Sequence, residues 1–127
     1  MKKNGFTLIE ILIAVLIVAI LAGISMYYLP HAIEKARWAE AKELLVVLWT
    51  AQRRQVAMGR GLCNPDYPND FSCLDLTITP PKYFNFKLSA DTSQIVIAQR
   101  KPAGAKMFID FDGNIRYSND TPAWLRD

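Results

Sequence analysis

From Phe6 to Leu29 the chain reads FTLIEILIAVLIVAILAGISMYYL, 24 residues in which Glu10 is the one ionisable side chain apart from two tyrosines. Eighteen or more mostly apolar residues have the length of a membrane-spanning helix, and this run would reach about 36 Å at 1.5 Å per residue. That segment constrains everything else. The chain has 127 residues, so roughly 100 remain for a soluble part, enough for one small core and not for two.

Three readings compete for the first thirty residues. A secretory signal peptide needs a shorter apolar stretch, about 7–15 residues, followed by a small-x-small cleavage site. Here the run is too long, and only the weak AGIS follows the pattern. A plain signal anchor, with Lys2 and Lys3 holding the N-terminus in the cytoplasm, explains orientation. It leaves Glu10 an accident, and an acidic group at the centre of a membrane helix costs about 2.5–3.5 kcal/mol, less near an end.

The third reading takes the stretch KKNGFTLIE, Lys2 to Glu10, as a unit. It resembles the class III leader of type IV pilins and of type II secretion pseudopilins. In that family a short basic leader ends in Gly, a membrane peptidase cuts after it, the new N-terminal Phe is N-methylated, and a Glu stands at the fifth mature position. Lys2, Lys3, Gly5, Phe6 and Glu10 match, as do Thr7, Leu8 and Ile9. The resemblance implies cleavage between Gly5 and Phe6 and methylation of Phe6. It also implies an assembly role for Glu10, which would meet the Phe6 amine of a neighbouring subunit as a one-charge key in an otherwise apolar rod. Opposite charges attract strongly in low dielectric, and losing either strands the other.

Gly23 and Ser25 lie inside the apolar run and Pro30 ends it. Proline removes a donor and clashes with the preceding turn, so a helix break is expected at Gly23 and Pro30. From His31 to about Ala57 there are good helix formers and no Gly or Pro, with Glu34, Arg37 and Glu40 spaced to pair at i,i+3. The centre, LLVVLW (Leu44 to Trp49), is apolar on every side. A small domain covers one side, so the other is expected to meet another subunit. Gly59 and Gly61 stop the helix. After Pro80–Pro81, alternating segments at Tyr83–Leu88, Gln94–Arg100 and Lys106–Phe111 read as strands, with Asn114–Tyr117 a fourth, and SNDTPAWLRD an irregular tail.

The expected fold class is therefore α+β: a long N-terminal helix, half transmembrane and half packed on a small antiparallel sheet of three to four strands. This also resembles a pilin, though motif-level identity is confined to residues 2–29. The expected organisation is a cleaved leader at 1–5, a transmembrane or filament-core helix at 6–29, and a head domain at 30–127.

Cys63 and Cys73 flank a loop, NPDYPNDFS, rich in turn formers, so their ends come together cheaply. If this part is exported, a disulfide is the default, and the pair favours a pilin, since major pseudopilins usually lack one. Two thiols and the distant His31 make no metal site. DFDGN (Asp110 to Asn114) echoes the start of a calcium loop, but its glycine is one residue early and no glutamate follows at the twelfth position, so a hairpin turn is expected. Some major pseudopilins hold calcium in C-terminal acidic loops, which makes Asp110, Asp112, Asn119 and Asp120 the weak candidate set. No catalytic pairing, phosphate loop or ligand cluster points to an enzyme, and no cofactor is expected. Phe6, Tyr27, Tyr28, Trp38 and Trp49 lie along the helix, where such residues serve as core and interface anchors more often than as an electron path. The net charge of +3 is mixed, with no basic run for a nucleic-acid groove.

The resemblance implies a structural subunit of a type IV pilus serving motility, adhesion or DNA uptake, or else a pseudopilin of a type II secretion system. A single-span anchored binding protein that never polymerises is the reading from another class. The implied partners are further copies in a helical filament, the prepilin peptidase and methyltransferase, an inner-membrane assembly platform and, before assembly, the membrane. Nucleic acid enters only through DNA uptake. The implied location is the inner membrane with a cytoplasmic N-terminus, then an extracellular pilus or a periplasmic pseudopilus.

Overall fold

One helix dominates the computed structural model, which describes residues 5–102 and 104–125: α1, Leu8–Ala57, 50 residues long. Lys2 and Lys3 of the expected leader lie outside the described residues. The chain divides into two compact units, Met1–Lys35 and Ala36–Asp127.

In the first unit every side chain from Phe6 to Ile33 is exposed. The backbone hydrogen bonds are satisfied along the helix, as a lipid environment requires, while the apolar surface has no covering within the unit. The break expected at Gly23 and Pro30 does not interrupt the helix, since α1 runs through both. Proline deletes one rung of the ladder, and the flanking turns carry the helix across it. At Gly23 a Cβ would meet nothing within 4 Å and no left-handed backbone is needed, so nothing local unwinds it. Ser25 Oγ donates to the Leu21 carbonyl at 2.8 Å, spending its hydroxyl on the helix itself.

The second unit is a helix on a sheet. Trp38, Ala41, Leu45, Leu48, Gln52 and Gln55 are all buried, and their alternating spacings of three and four put them on one stripe of α1. Four strands follow: β1 Phe84–Leu88, β2 Val96–Arg100, β3 Lys106–Ile109 and β4 Ile115–Tyr117. They form an antiparallel meander in the order β1-β2-β3-β4. Phe84, Phe86, Leu88, Val96, Ala98, Met107 and Ile109 are buried, and alternate residues such as Lys87 and Lys106 are exposed, as period-two alternation dictates. Trp38 meets Phe84 edge-on, ring centroids 4.9 Å apart. Each large side chain buried this way contributes about 1.5–3 kcal/mol.

The helix stops as its glycine directs. Gly59 takes φ +75°, its N–H donates to the Val56 carbonyl at 2.9 Å, and the Arg60 N–H to the Gln55 carbonyl at 3.1 Å. These two bonds are a Schellman cap. The tail is partly regular: Ala123–Leu125 forms a short 3₁₀ turn, and Thr121 Oγ1 donates to the Lys106 carbonyl at 3.1 Å, fastening it to β3.

Candidate functional site

The N-terminal segment places its signature residues around the start of α1. Gly5 and Phe6 precede the helix and are exposed. A Cβ at Gly5 would meet nothing within 4 Å, and its backbone needs no positive φ. The fold therefore has no use for a glycine there. Thr7 and Glu10 cap the helix reciprocally. The Glu10 carboxylate accepts from the Thr7 backbone N–H at 2.9 Å and from the Thr7 hydroxyl at 2.9 Å, while the Glu10 N–H donates back to Thr7 Oγ1 at 3.4 Å. This is a capping box of the form T-x-x-E. Sequence reasoning gave Glu10 to the Phe6 amine, of its own chain or of a neighbour, and missed this capping role, although T-L-I-E ahead of an apolar run is its signal.

Cys63 and Cys73 form a disulfide, their Cα atoms 6.1 Å apart. Two glutamines of α1 hold the loop it closes. Gln52 donates through Nε2 to the Cys63 carbonyl at 2.7 Å and accepts the Cys63 N–H on Oε1 at 2.9 Å. Gln55 donates to the Cys73 carbonyl at 3.0 Å. Both half-cystines are thus tied by their backbones to adjacent turns of the helix. Neither glutamine was foreseen.

DFDGN forms the β3–β4 turn. Gly113, at φ +94°, takes the left-handed position, where a Cβ would also lie 2.9 Å from the Trp49 ring. The buried Asp110 carboxylate accepts from the Asn114 backbone N–H at 2.8 Å and from its side-chain amide at 3.2 and 3.0 Å. Arg116 stands 3.6 Å away. The Asn114 bonds, side chain first, hold Asp110 below the ordinary aspartate range; burial opposes them and Arg116 assists. The carboxylate offered as a calcium ligand is spent on the turn. Asp112, Asn119 and Asp120 are exposed. No three His, Cys, Asp or Glu side chains gather to hold a metal among the described residues. The calcium set does not fit.

The helix aromatics divide by place. Tyr27 and Tyr28 meet edge-on, 5.4 Å between centroids, in the first unit. Trp38 is core, and Trp49 donates from Nε1 to the Phe111 carbonyl at 3.3 Å. His31 is exposed on α1, one residue after Pro30. On the face of α1 away from the sheet, Val46 and Val47 are 38% and 50% exposed, beside Ala39, Lys42, Glu43 and Thr50.

No curated protein and no solved structure matches the chain. Residues 1–26 match the family model described as the prokaryotic N-terminal methylation motif. The match ends within the apolar half of α1, so it identifies the leader and membrane helix and leaves the head to its own geometry. On that match, and on the exposed apolar helix beginning at Leu8, the N-terminal segment is a class III leader of the type IV pilin and pseudopilin kind.

Proposed function

We propose that this chain is the precursor of a structural subunit of a type IV pilus, cut between Gly5 and Phe6, methylated on Phe6 and polymerised through α1. The observation that carries the reading is the methylation motif over residues 1–26 running into a helix with no covering of its own. Gly5 adds support: a glycine the fold does not need is one that an external partner reads. Cleavage would create an amine at Phe6, next to the Thr7–Glu10 cap. Glu10 accepts it, from its own chain or from the neighbour it docks against. The subunit is structural rather than enzymatic and needs no cofactor.

A pseudopilin of a type II secretion system is the second reading. The closed Cys63–Cys73 disulfide favours the pilus. Cells expressing the chain are sheared, and intact mass with N-terminal sequencing is read on each fraction. Chains starting at methylated Phe6 in sheared surface fibres are the expected result. Processed chain confined to membrane and periplasm would transfer the assignment to a pseudopilin. An uncleaved Met1 would overturn both and leave a plain anchor that never polymerises.

A further inference from the structure

The outward face of α1 in the second unit carries two charges that its own chain leaves unanswered. Ala39, Glu43, Val46, Thr50 and Arg54 are all exposed, and their spacings of four, three, four and four place them on one stripe, opposite the buried one. Thr50 turns its hydroxyl back on the helix, donating to the Val46 carbonyl at 2.9 Å. Three and four positions from Glu43 stand Ala39, Glu40, Val46 and Val47; around Arg54 stand Thr50, Ala51, Ala57 and Met58. Neither set offers an opposite charge, so neither residue can pair along the helix. Among the described residues no hydrogen bond or ion pair to another part of the chain engages either one. Arg53 differs from its neighbour: its guanidinium carbon lies 5.2 Å from the Trp49 ring centroid.

The apolar surface between the two charges is hollowed. Beside Glu43, a shallow depression is lined by Ala39, Lys42, Val46 and Val47. Beside Arg54, a second of about 280 Å³ is lined by Val47, Thr50, Ala51 and Leu76, the leucine coming from the chain just after the disulfide loop. An acid therefore stands at one end of an apolar strip and a base at the other. They are eleven positions apart (54 − 43), three turns and about 16 Å at 1.5 Å per residue, too far to meet in one chain.

Two copies joined on this face can match their charges in three ways. Parallel and level, Glu43 faces Glu43 and Arg54 faces Arg54, which repels. Antiparallel, each Glu43 meets an Arg54, both pairs are used, and the contact closes as a two-fold dimer. Parallel and displaced along the axis, Glu43 of one copy meets Arg54 of the next. That leaves an Arg54 at one end and a Glu43 at the other, so the contact repeats without closing. We propose that Glu43 and Arg54 are the two halves of such a repeating contact between copies of this chain, with the strip at Val46 and Val47 buried between them. The proposal rests on the reading of the chain as a polymerising subunit, which selects the open arrangement over the closed one. The charge pair then fixes how far one copy is displaced from the next, a setting that an apolar strip does not make by itself.

The test is a charge exchange in the full chain, scored as fibres in the sheared fraction. Glu43→Arg and Arg54→Glu should each lower the yield at least about tenfold, since each sets like charges face to face. Glu43→Arg combined with Arg54→Glu restores the attraction in reverse and should recover most of the wild-type yield. Both side chains are exposed, so the fold tolerates all three variants. Either single variant at wild-type yield overturns the proposal, and so does a double variant as poor as the singles. Glu43→Cys with Arg54→Cys, joined by a short thiol-reactive linker, separates the geometries. A ladder of dimers, trimers and longer species is expected, and bands that stop at the dimer would overturn the open arrangement. Wild-type fibres and the mass of their N-terminus are read alongside. Their absence would overturn the pilus reading and this contact with it; their presence, with yield indifferent to the charges, would overturn this contact alone.

Discussion

Gln52 does what no apolar residue of its size can do. Fully buried, it satisfies both backbone groups of Cys63 with one amide. Gln52→Leu preserves the volume and strands a donor and an acceptor, each costing about 1–3 kcal/mol. We expect unfolding in denaturant to shift by about 2–3 kcal/mol, followed on the full chain in detergent by tryptophan fluorescence; an unshifted midpoint would mean that the loop leans on the disulfide alone. Asp110 makes a pH prediction. Its folded pKa lies below the ordinary 3.8 because Asn114 bonds the charged form. Its contribution is therefore complete above that value and disappears as pH falls through the lower folded one. Asp70 and Asp91 are held low by Ser72 and Ser93 in the same way, so the wild-type acid limb has several sources. Asp110→Asn should remove one of them and flatten the fall in stability between about pH 5 and pH 2. Superimposable acid limbs would refute this.

At the scale of elements, the disulfide and the two glutamines act on one loop. Replacing Cys63 and Cys73 by serine should cost about 2–3 kcal/mol, mainly through the freed unfolded chain. Adding Gln52→Leu to that variant should cost less than the sum of the separate effects, by at least about 0.5 kcal/mol, because a loop already released has less to lose. Strict additivity in the same denaturation measurement would show two independent fastenings. The elements themselves were readable in the sequence to within two residues. Tyr83–Leu88 became Phe84–Leu88 and Asn114–Tyr117 became Ile115–Tyr117, because alternation and the glycine turns dictate the same registers. Gln52 and Gln55 were not readable from apolar periodicity. They continue the buried stripe of Trp38, Leu45 and Leu48, but face loop backbone rather than side chains, so they are polar where the pattern asks for apolar residues. The Thr7–Glu10 box was legible as a motif and passed over, since the carboxylate had already been given the Phe6 amine as its partner. Pro30 misled in the opposite sense: one missing hydrogen bond is a small loss to a helix with intact turns on both sides.

For the molecule as a whole, the apolar surface left uncovered is where a solitary anchor and a subunit would behave differently. Lipid can cover the first unit. Val46 and Val47 belong to the second unit and stand on the side of α1 away from the sheet. A small head has one sheet with which to cover one side, and the sequence carries LLVVLW on every side of that turn. A monomer living alone would gain solubility from a polar residue here. A filament subunit needs the face apolar so that another copy can close over it. Val47→Asp separates the cases. At 50% exposure the residue contributes little to the core, so the denaturation midpoint should move by no more than about 0.5 kcal/mol. Burying that carboxylate against a neighbouring subunit is costly, and fibres in the sheared fraction should fall at least about tenfold while processed chain accumulates in the membrane. Fibres at wild-type yield from Val47→Asp cells would remove this face from the interface. Fibres lost together with a lowered midpoint would mark the valine as part of the core and not as a docking surface.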